Sequence, residues 1–172
     1  MTKAETPWLD DREQQLWRRW LRVQTELPAA LGRALSRDSG LSMQDFETLV
    51  WLSEAPGERL RISALAEQMH WERSRLSHHL RRMSTRGLVV KEDCPEDGRG
   101  SFVLLTPAGR AALEAAAPGH VRTVRALFLD GMDDQDVETL SLLLGKVLAR
   151  AQEQPDQDEP GQEHLQEEQL RA

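Results

Sequence analysis

The sequence predicts a mainly α chain with one small β-hairpin, in which a two-helix unit and its hairpin are flanked by long helices from both ends. Three observations predict this. Residues Ser63 to Val90, SALAEQMHWERSRLSHHLRRMSTRGLVV, hold two short amphipathic segments separated by a tight polar turn, and the second carries a face of Arg, His and Ser. After Gly87 the period changes from helical to alternating, around the turn-rich stretch Cys94-Pro95-Glu96-Asp97-Gly98-Arg99-Gly100. Apolar seams at helical spacing run along both the first and the last thirds of the chain.

Residues 10–37 read as one long helix. Leu16, Trp20, Val23, Leu27, Leu31 and Ala34 recur at steps of four and three, and Trp17, Leu21 and Leu35 widen that face beyond what one neighbour needs. Pro28 is expected to kink it. Ser42 caps a second helix that buries Met43, Phe46, Leu49 and Val50 and stops at Ala55-Pro56-Gly57-Glu58. Arg59 to Ile62 form a short strand.

The two-helix unit follows. Ser63 is the expected N-cap of its first helix, with Leu65, Ala66 and Met69 turned inward. In the second helix Leu76, Leu80 and Met83 fall on one side, with Ser74, His78, Arg81 and Thr85 opposite and Arg75, Ser77 and Arg82 flanking them. Glu72 lies at its start, where an acid favours the helix dipole, and Gly87 is a C-cap signal. A donor-rich, cationic helix face that is apolar behind suits the DNA major groove, so this is read as a helix-turn-helix with its second helix as the reader. Leu88 to Asp93 and Ser101 to Leu105 then form a hairpin, or wing, whose tip exposes Arg99 between two glycines. A cation there reaches the adjacent minor groove.

Thr106-Pro107 starts the next helix, with Leu113, Ala117, Val121, Val124 and Phe128 on one side, an expected kink at Pro118-Gly119 and an end at Gly131. Asp133 caps the last helix. Val137, Leu140, Leu144, Val147 and Ala151 make a heptad-like seam there, with Leu142, Leu143 and Leu148 off it. Helices apolar on more than one side need more than one partner, which points to a homodimer built from the chain's two ends. The domain reading is therefore a helical dimerisation region of residues 10–37 and 107–151, a winged helix-turn-helix lobe of residues 38–106, and an acidic, disordered tail of residues 152–172.

Taken alone, the net charge of −7 opposes binding to a polyanion. Its distribution removes the conflict. From Gln152 to Ala172 seven acids stand against one Arg, so the tail carries −6 and leaves only −1 for residues 1–151. Between Arg73 and Lys91 there are six cations and no acid, and DNA responds to the local field within about a Debye length, ~10 Å at 0.1 M salt. The tail is a solubilising segment or a competitor of DNA for the basic face. In the second case, truncation after Gln154 tightens DNA binding, most clearly at low salt.

Other classes find little support. No phosphate-binding glycine loop or nucleophile–base constellation suggests an enzyme. The five His (His70, His78, His79, His120, His164) lack metal-site spacing, and no cofactor is expected. The single Cys, Cys94, excludes an internal disulfide framework and sits beside acids that disfavour a thiolate, which weakens a redox-sensing alternative. With no apolar leader and no run long enough to span a bilayer, a cytoplasmic protein is expected. A winged helix that binds proteins rather than DNA remains an alternative that the basic face disfavours.

LAEQMHWERSRLSHHLRRMSTRGLV, followed by a wing ending in DGRGSFVLLTPAGRAAL and two long helices, resembles the MarR family of winged-helix regulators over roughly residues 10–150. The most specific pieces are the second helix running into RGLV and Asp97-x-Arg99 followed by Leu105-Thr106-x-x-Gly109. The resemblance implies a dimer with intertwined terminal helices, each reading helix in a major groove and each Arg99 in a minor groove, with Asp97 as the wing's acidic partner residue. Gly98 departs from the pattern, since a second basic residue is common there. It also implies a repressor of a pseudo-palindromic operator, released by a small, often phenolic inducer bound between lobe and dimer helices, where Trp17, Trp20 and Trp51 are the aromatic candidates. Arg75 and Arg82 are the candidates for guanine, Arg73, Arg81 and Arg86 for phosphate, and Ser74, Ser77 and His78 for further base or backbone contacts.

Overall fold

The computed structural model describes residues 8–93 and 101–153. In chain order the elements are α1 (Asp11–Ser39), α2 (Met43–Glu54), a 3-10 turn (Pro56–Glu58), β1 (Arg59–Arg61), α3 (Ile62–Gln68), α4 (Arg73–Thr85), β2 (Val89–Asp93), β3 (Ser101–Leu105), α5 (Pro107–Val124), a π-helical turn (Arg125–Leu129) and α6 (Asp134–Glu153). The chain is mainly helical, as the periodicity predicts, and its strands form one antiparallel sheet in the order β1-β3-β2. Register is set by Leu60 opposite Val103 and Lys91 opposite Val103 from the other side. The two strands expected around the wing are present. The wing tip, Cys94 to Gly100, with the expected contacts of Asp97 and Arg99, lies outside the described residues, as does the tail from Gln154 onward.

The chain divides into two compact units, one up to Leu127 and one from Phe128. The core of the first joins every element of the two-helix unit to its neighbours. Leu49 and Leu52 of α2, Leu65 of α3, Leu76 and Met83 of α4, and Val103 of β3 are all fully buried, and Leu35 of α1 and Leu113 of α5 close the same cluster. The three buried apolar residues of α4 are the three that its period singles out. In the second unit α6 has no buried residue at all.

Capping follows the sequence closely at three helices. Ser42 accepts from the Asp45 N–H at 3.0 Å while Asp45 accepts from the Ser42 N–H at 3.0 Å, a reciprocal box that satisfies two otherwise unpaired donors. Thr106 accepts from the Gly109 N–H ahead of Pro107 at the first helical position, and Asp133 and Asp136 form the same reciprocal pair at the start of α6. Two expectations need correction. Ser63 does not cap α3, which starts one residue earlier behind Arg61 with no side-chain cap. Glu72 is the N-cap of α4 rather than part of its first turn, and its side chain makes no capping bond. The strand β1 feeds directly into α3, so the chain enters that helix already extended and pre-aligned.

Pro28 and Pro118 lie inside continuous helical spans of α1 and α5. Both are exposed, so water can satisfy the carbonyl that each leaves unpaired. The helical pattern changes later than expected, in the π-helical turn at Arg125–Leu129. No helix among the described residues is long and apolar enough to cross a membrane.

Candidate nucleic-acid interface

The interface is built on α4. Leu76, Leu80 and Met83 anchor it from below. Its end is fixed by Gly87, whose φ of 73° lets its N–H reach the Ser84 carbonyl at 2.9 Å and the Leu88 N–H reach Met83 at 3.0 Å. With that rotation set, Arg73, Ser74, Arg75, Ser77, His78, Arg81 and Arg82 are all exposed.

These residues fall into two groups by what surrounds them. Ser77, Arg81, Ser84 and Thr85 line a groove of about 420 Å³ between α4 and the sheet, together with Lys91 of β2, above an apolar floor that includes Leu80 and Val103. The hydroxyls of Ser77 and Ser84 and two cations over an apolar floor suit a phosphodiester, which needs charge and several donors in one place, while Thr85 donates its hydroxyl to the Arg81 carbonyl at 3.0 Å. Sequence reasoning counted Lys91 only as a charge. The signal for it was strand alternation, since a residue between Val90 and Glu92 opposite the buried Val103 faces the groove beside α4.

The second group lies on the α2 side of the helix. The Arg75 guanidinium stacks 4.1 Å from the centre of the Trp71 ring. Arg82 donates to His79 Nδ1 at 3.3 Å. Arg86 donates to Asp45 at 2.6 Å and to the Gly40 carbonyl at 3.1 Å, which ties the end of α4 to the start of α2. His79 is buried, with only 3% of its surface exposed. Its ring packs edge-on to Trp71, with 5.4 Å between centroids. Sequence reasoning did not single out His79 or Asp45. For His79 a signal existed, because it sits three residues after Leu76 and four before Met83.

Electrostatics around Asp45 follow from these contacts. Burial pushes its carboxyl up, but hydrogen bonds from Ser42 and Arg86 outweigh burial and hold it below the usual carboxylate range. Burial pushes the His79 imidazole down, and Arg82 and Arg86 add to this; Asp45 and a backbone hydrogen bond with Gln44 oppose it without reversing it.

The other candidate residues lie elsewhere. Trp17 is exposed on α1, Trp20 is half-buried on the same helix, and Trp51 is exposed on α2. None of them lines the groove beside α4 or the smaller cavity between α1 and α5. Among the described residues no group of three His, Cys, Asp or Glu could hold a metal ion.

A reading helix held against a three-stranded sheet, with an exposed cationic face and a cation-lined groove at its side, defines a winged-helix DNA-binding protein. A family model described as "MarR family" matches residues 39–100. Among solved structures, AbsC, a MarR family transcriptional regulator from Streptomyces coelicolor, is 39% identical with a TM-score of 0.79, over 87% of this chain and 100% of that one. Sco3205, a MarR family regulator from the same organism solved in complex with DNA, is 38% identical with a TM-score of 0.81, over 90% and 95% of the two chains. The transcriptional regulator BldR from Sulfolobus solfataricus is more distant, at 26% identity and a TM-score of 0.68 over 81% and 96%. No match was found among curated proteins. The chain belongs to the MarR family, and it is a DNA-binding transcriptional regulator rather than an enzyme.

Proposed function

We propose that a homodimer of this chain represses transcription by reading a pseudo-palindromic operator. Residues 38–106 are the DNA-binding lobe and residues 10–37 and 107–151 the dimerisation region. In each protomer α4 enters a major groove with Ser74, Arg75, Ser77, His78, Arg81 and Arg82 toward bases and phosphates, Arg73 on the backbone, and Arg99 of the wing in the flanking minor groove. The observation that carries this is the exposed face of α4 beside the groove of Arg81, Lys91 and the hydroxyls of Ser77 and Ser84. The complex of the similar Sco3205 with DNA supports it. Two-fold symmetry places the half-sites about 10 base pairs apart.

Support for the dimer comes from apolar surface exposed among the described residues. Leu16 is 69% and Trp17 52% exposed on α1, and Leu142 is 60% exposed on α6. Exposed apolar residues at helical spacing on both ends of the chain suit an interface between copies. Sedimentation at micromolar concentration should give twice the chain mass. A monomer would remove the palindrome with it.

Support for a small inducer is a cavity of about 130 Å³ between α1 and α5, lined by Leu31, Leu35, Asp38, His120 and Arg122 among others. That volume is close to the roughly 150 Å³ that holds a benzene ring in an engineered cavity. The His120 Nδ1 is buried with no hydrogen-bond partner, and a phenol hydroxyl would supply one. Trp17, Trp20 and Trp51 remain candidates for a cleft that forms between protomers. Tryptophan fluorescence titrated with phenolic compounds tests the inducer directly.

The DNA reading is tested through the wing. In a mobility-shift series at several salt concentrations, Arg99→Ala should weaken binding of a selected duplex and reduce the salt slope by about one. An unchanged slope would remove Arg99 from the interface.

A further inference from the structure

We propose that His79 is a positioning residue for DNA readout: its neutral imidazole holds the Arg82 guanidinium in the orientation that meets a base edge, and its protonation releases Arg82. This rests on the reading of α4 as the recognition helix.

The geometry supports a single tautomer. Arg82 has only donors to offer, so the contact of 3.3 Å to His79 Nδ1 requires a lone pair on Nδ1. The ring proton is then on Nε2. That atom is buried and faces Asp45 Oδ1 at 3.6 Å, across a gap too long for a hydrogen bond, and the ring also meets the Gln44 backbone, which favours the protonated form. The ring itself has little room to turn, because it is buried and lies edge-on against Trp71. A buried, oriented acceptor therefore fixes an exposed cation. Arginine loses considerable side-chain freedom when it engages a base, and a partner that holds it in place beforehand lowers that loss. Arg75, stacked over the face of Trp71, contacts the same aromatic ring.

The charged groups facing His79 come from two elements. Asp45 lies on α2, Arg82 lies on α4, and Arg86 is the residue that caps the end of α4. Asp45 is already engaged by Arg86 and by the Ser42 N–H. A proton added to His79 would turn Nδ1 into a donor facing the donors of Arg82. Two cations would then share a buried contact, and Arg82 would leave. Because burial, Arg82 and Arg86 hold the imidazole below its ordinary range, the neutral, Arg82-binding form persists at neutral pH. It is lost only on acidification past the ordinary imidazole range, while Asp45, itself held low, stays ionised.

The test uses the full chain and a duplex that the wild-type chain selects from a randomised pool, with every single-base-pair variant of that duplex. Arg82→Ala first identifies the base pair that Arg82 reads, as the position where discrimination falls about 10- to 100-fold. His79→Leu should lose discrimination at that same pair at every pH and keep its affinity for a non-specific duplex. His79→Gln, whose amide oxygen can accept from Arg82 but does not titrate, should keep discrimination at both neutral and acidic pH. The wild type should lose it only on acidification. Full discrimination in His79→Leu, or an acid loss in His79→Gln equal to that of the wild type, would overturn the proposal. If Arg82→Ala changes no position, the reading of α4 fails instead, and the two failures are told apart. Thermal melts establish that each variant is folded; if His79→Leu is not, the pH comparison of His79→Gln with wild type still decides.

Discussion

Replacing Gly109 with alanine should lower stability by about 1–3 kcal/mol, read as a lower urea midpoint with an unchanged slope. A Cβ at this position would collide with the carbonyl oxygen of Leu88 and lie 2.9 Å from Leu105 Cδ1. The carbonyl cannot move aside. It accepts from the Thr106 hydroxyl at 3.0 Å and the Thr106 N–H at 3.3 Å, and the same hydroxyl also reaches the Gly87 carbonyl at 2.7 Å. The first turn of α5 is therefore pinned against the very backbone that ends α4 and begins β2. Alanine normally gains up to about 1 kcal/mol over glycine inside a helix, and a midpoint at or above wild type would mean that this gain prevails and the contact yields. The spacing Leu105-Thr106-x-x-Gly109, which in the sequence carries only a resemblance, thus has a steric cause.

Asp45→Ala is expected to cost about 2–4 kcal/mol. The reciprocal cap with Ser42 accounts for ~1 kcal/mol of this. The rest comes from the bond to Arg86, discounted from the ~3–5 kcal/mol of a fully buried pair because the Arg86 side chain is 43% exposed and turns to water once released. The pH dependence has a definite sign. The folded-state pKa of Asp45 lies below its unfolded value, so its contribution is present above the carboxylate range and fades as pH falls through it. Chemical denaturation of wild type and variant at neutral and at strongly acidic pH should show a gap that closes in acid. Equal stability at neutral pH would mean that the Arg86 bond adds nothing.

What could be read in advance was local. The spacing of Leu76, Leu80 and Met83 sets the rotation of α4, and through it the exposure of Ser74, His78 and Arg81. Ser42 and Thr106 announce their helices because a cap needs only residues within three positions. The bond between Arg86 and Asp45 joins residues 41 positions apart, and no periodicity reports such a partner. The burial of His79 was within reach, but a polar residue type outweighed its apolar spacing. Ser63 has the residue type of a cap, but the helix begins ahead of it at Ile62.

The strand order β1-β3-β2 leaves two open sheet edges. One is only three residues long and carries exposed Arg59 and Arg61, both within 5.2 Å of the face of Phe102. The other carries the exposed charges Lys91, Glu92 and Asp93. Short, charged edges resist the addition of a foreign strand. A protein with this much uncovered apolar helix would otherwise be prone to polymerise through its sheet while waiting for a partner. Edges of this kind disfavour growth into fibres, whatever the helical faces pair with.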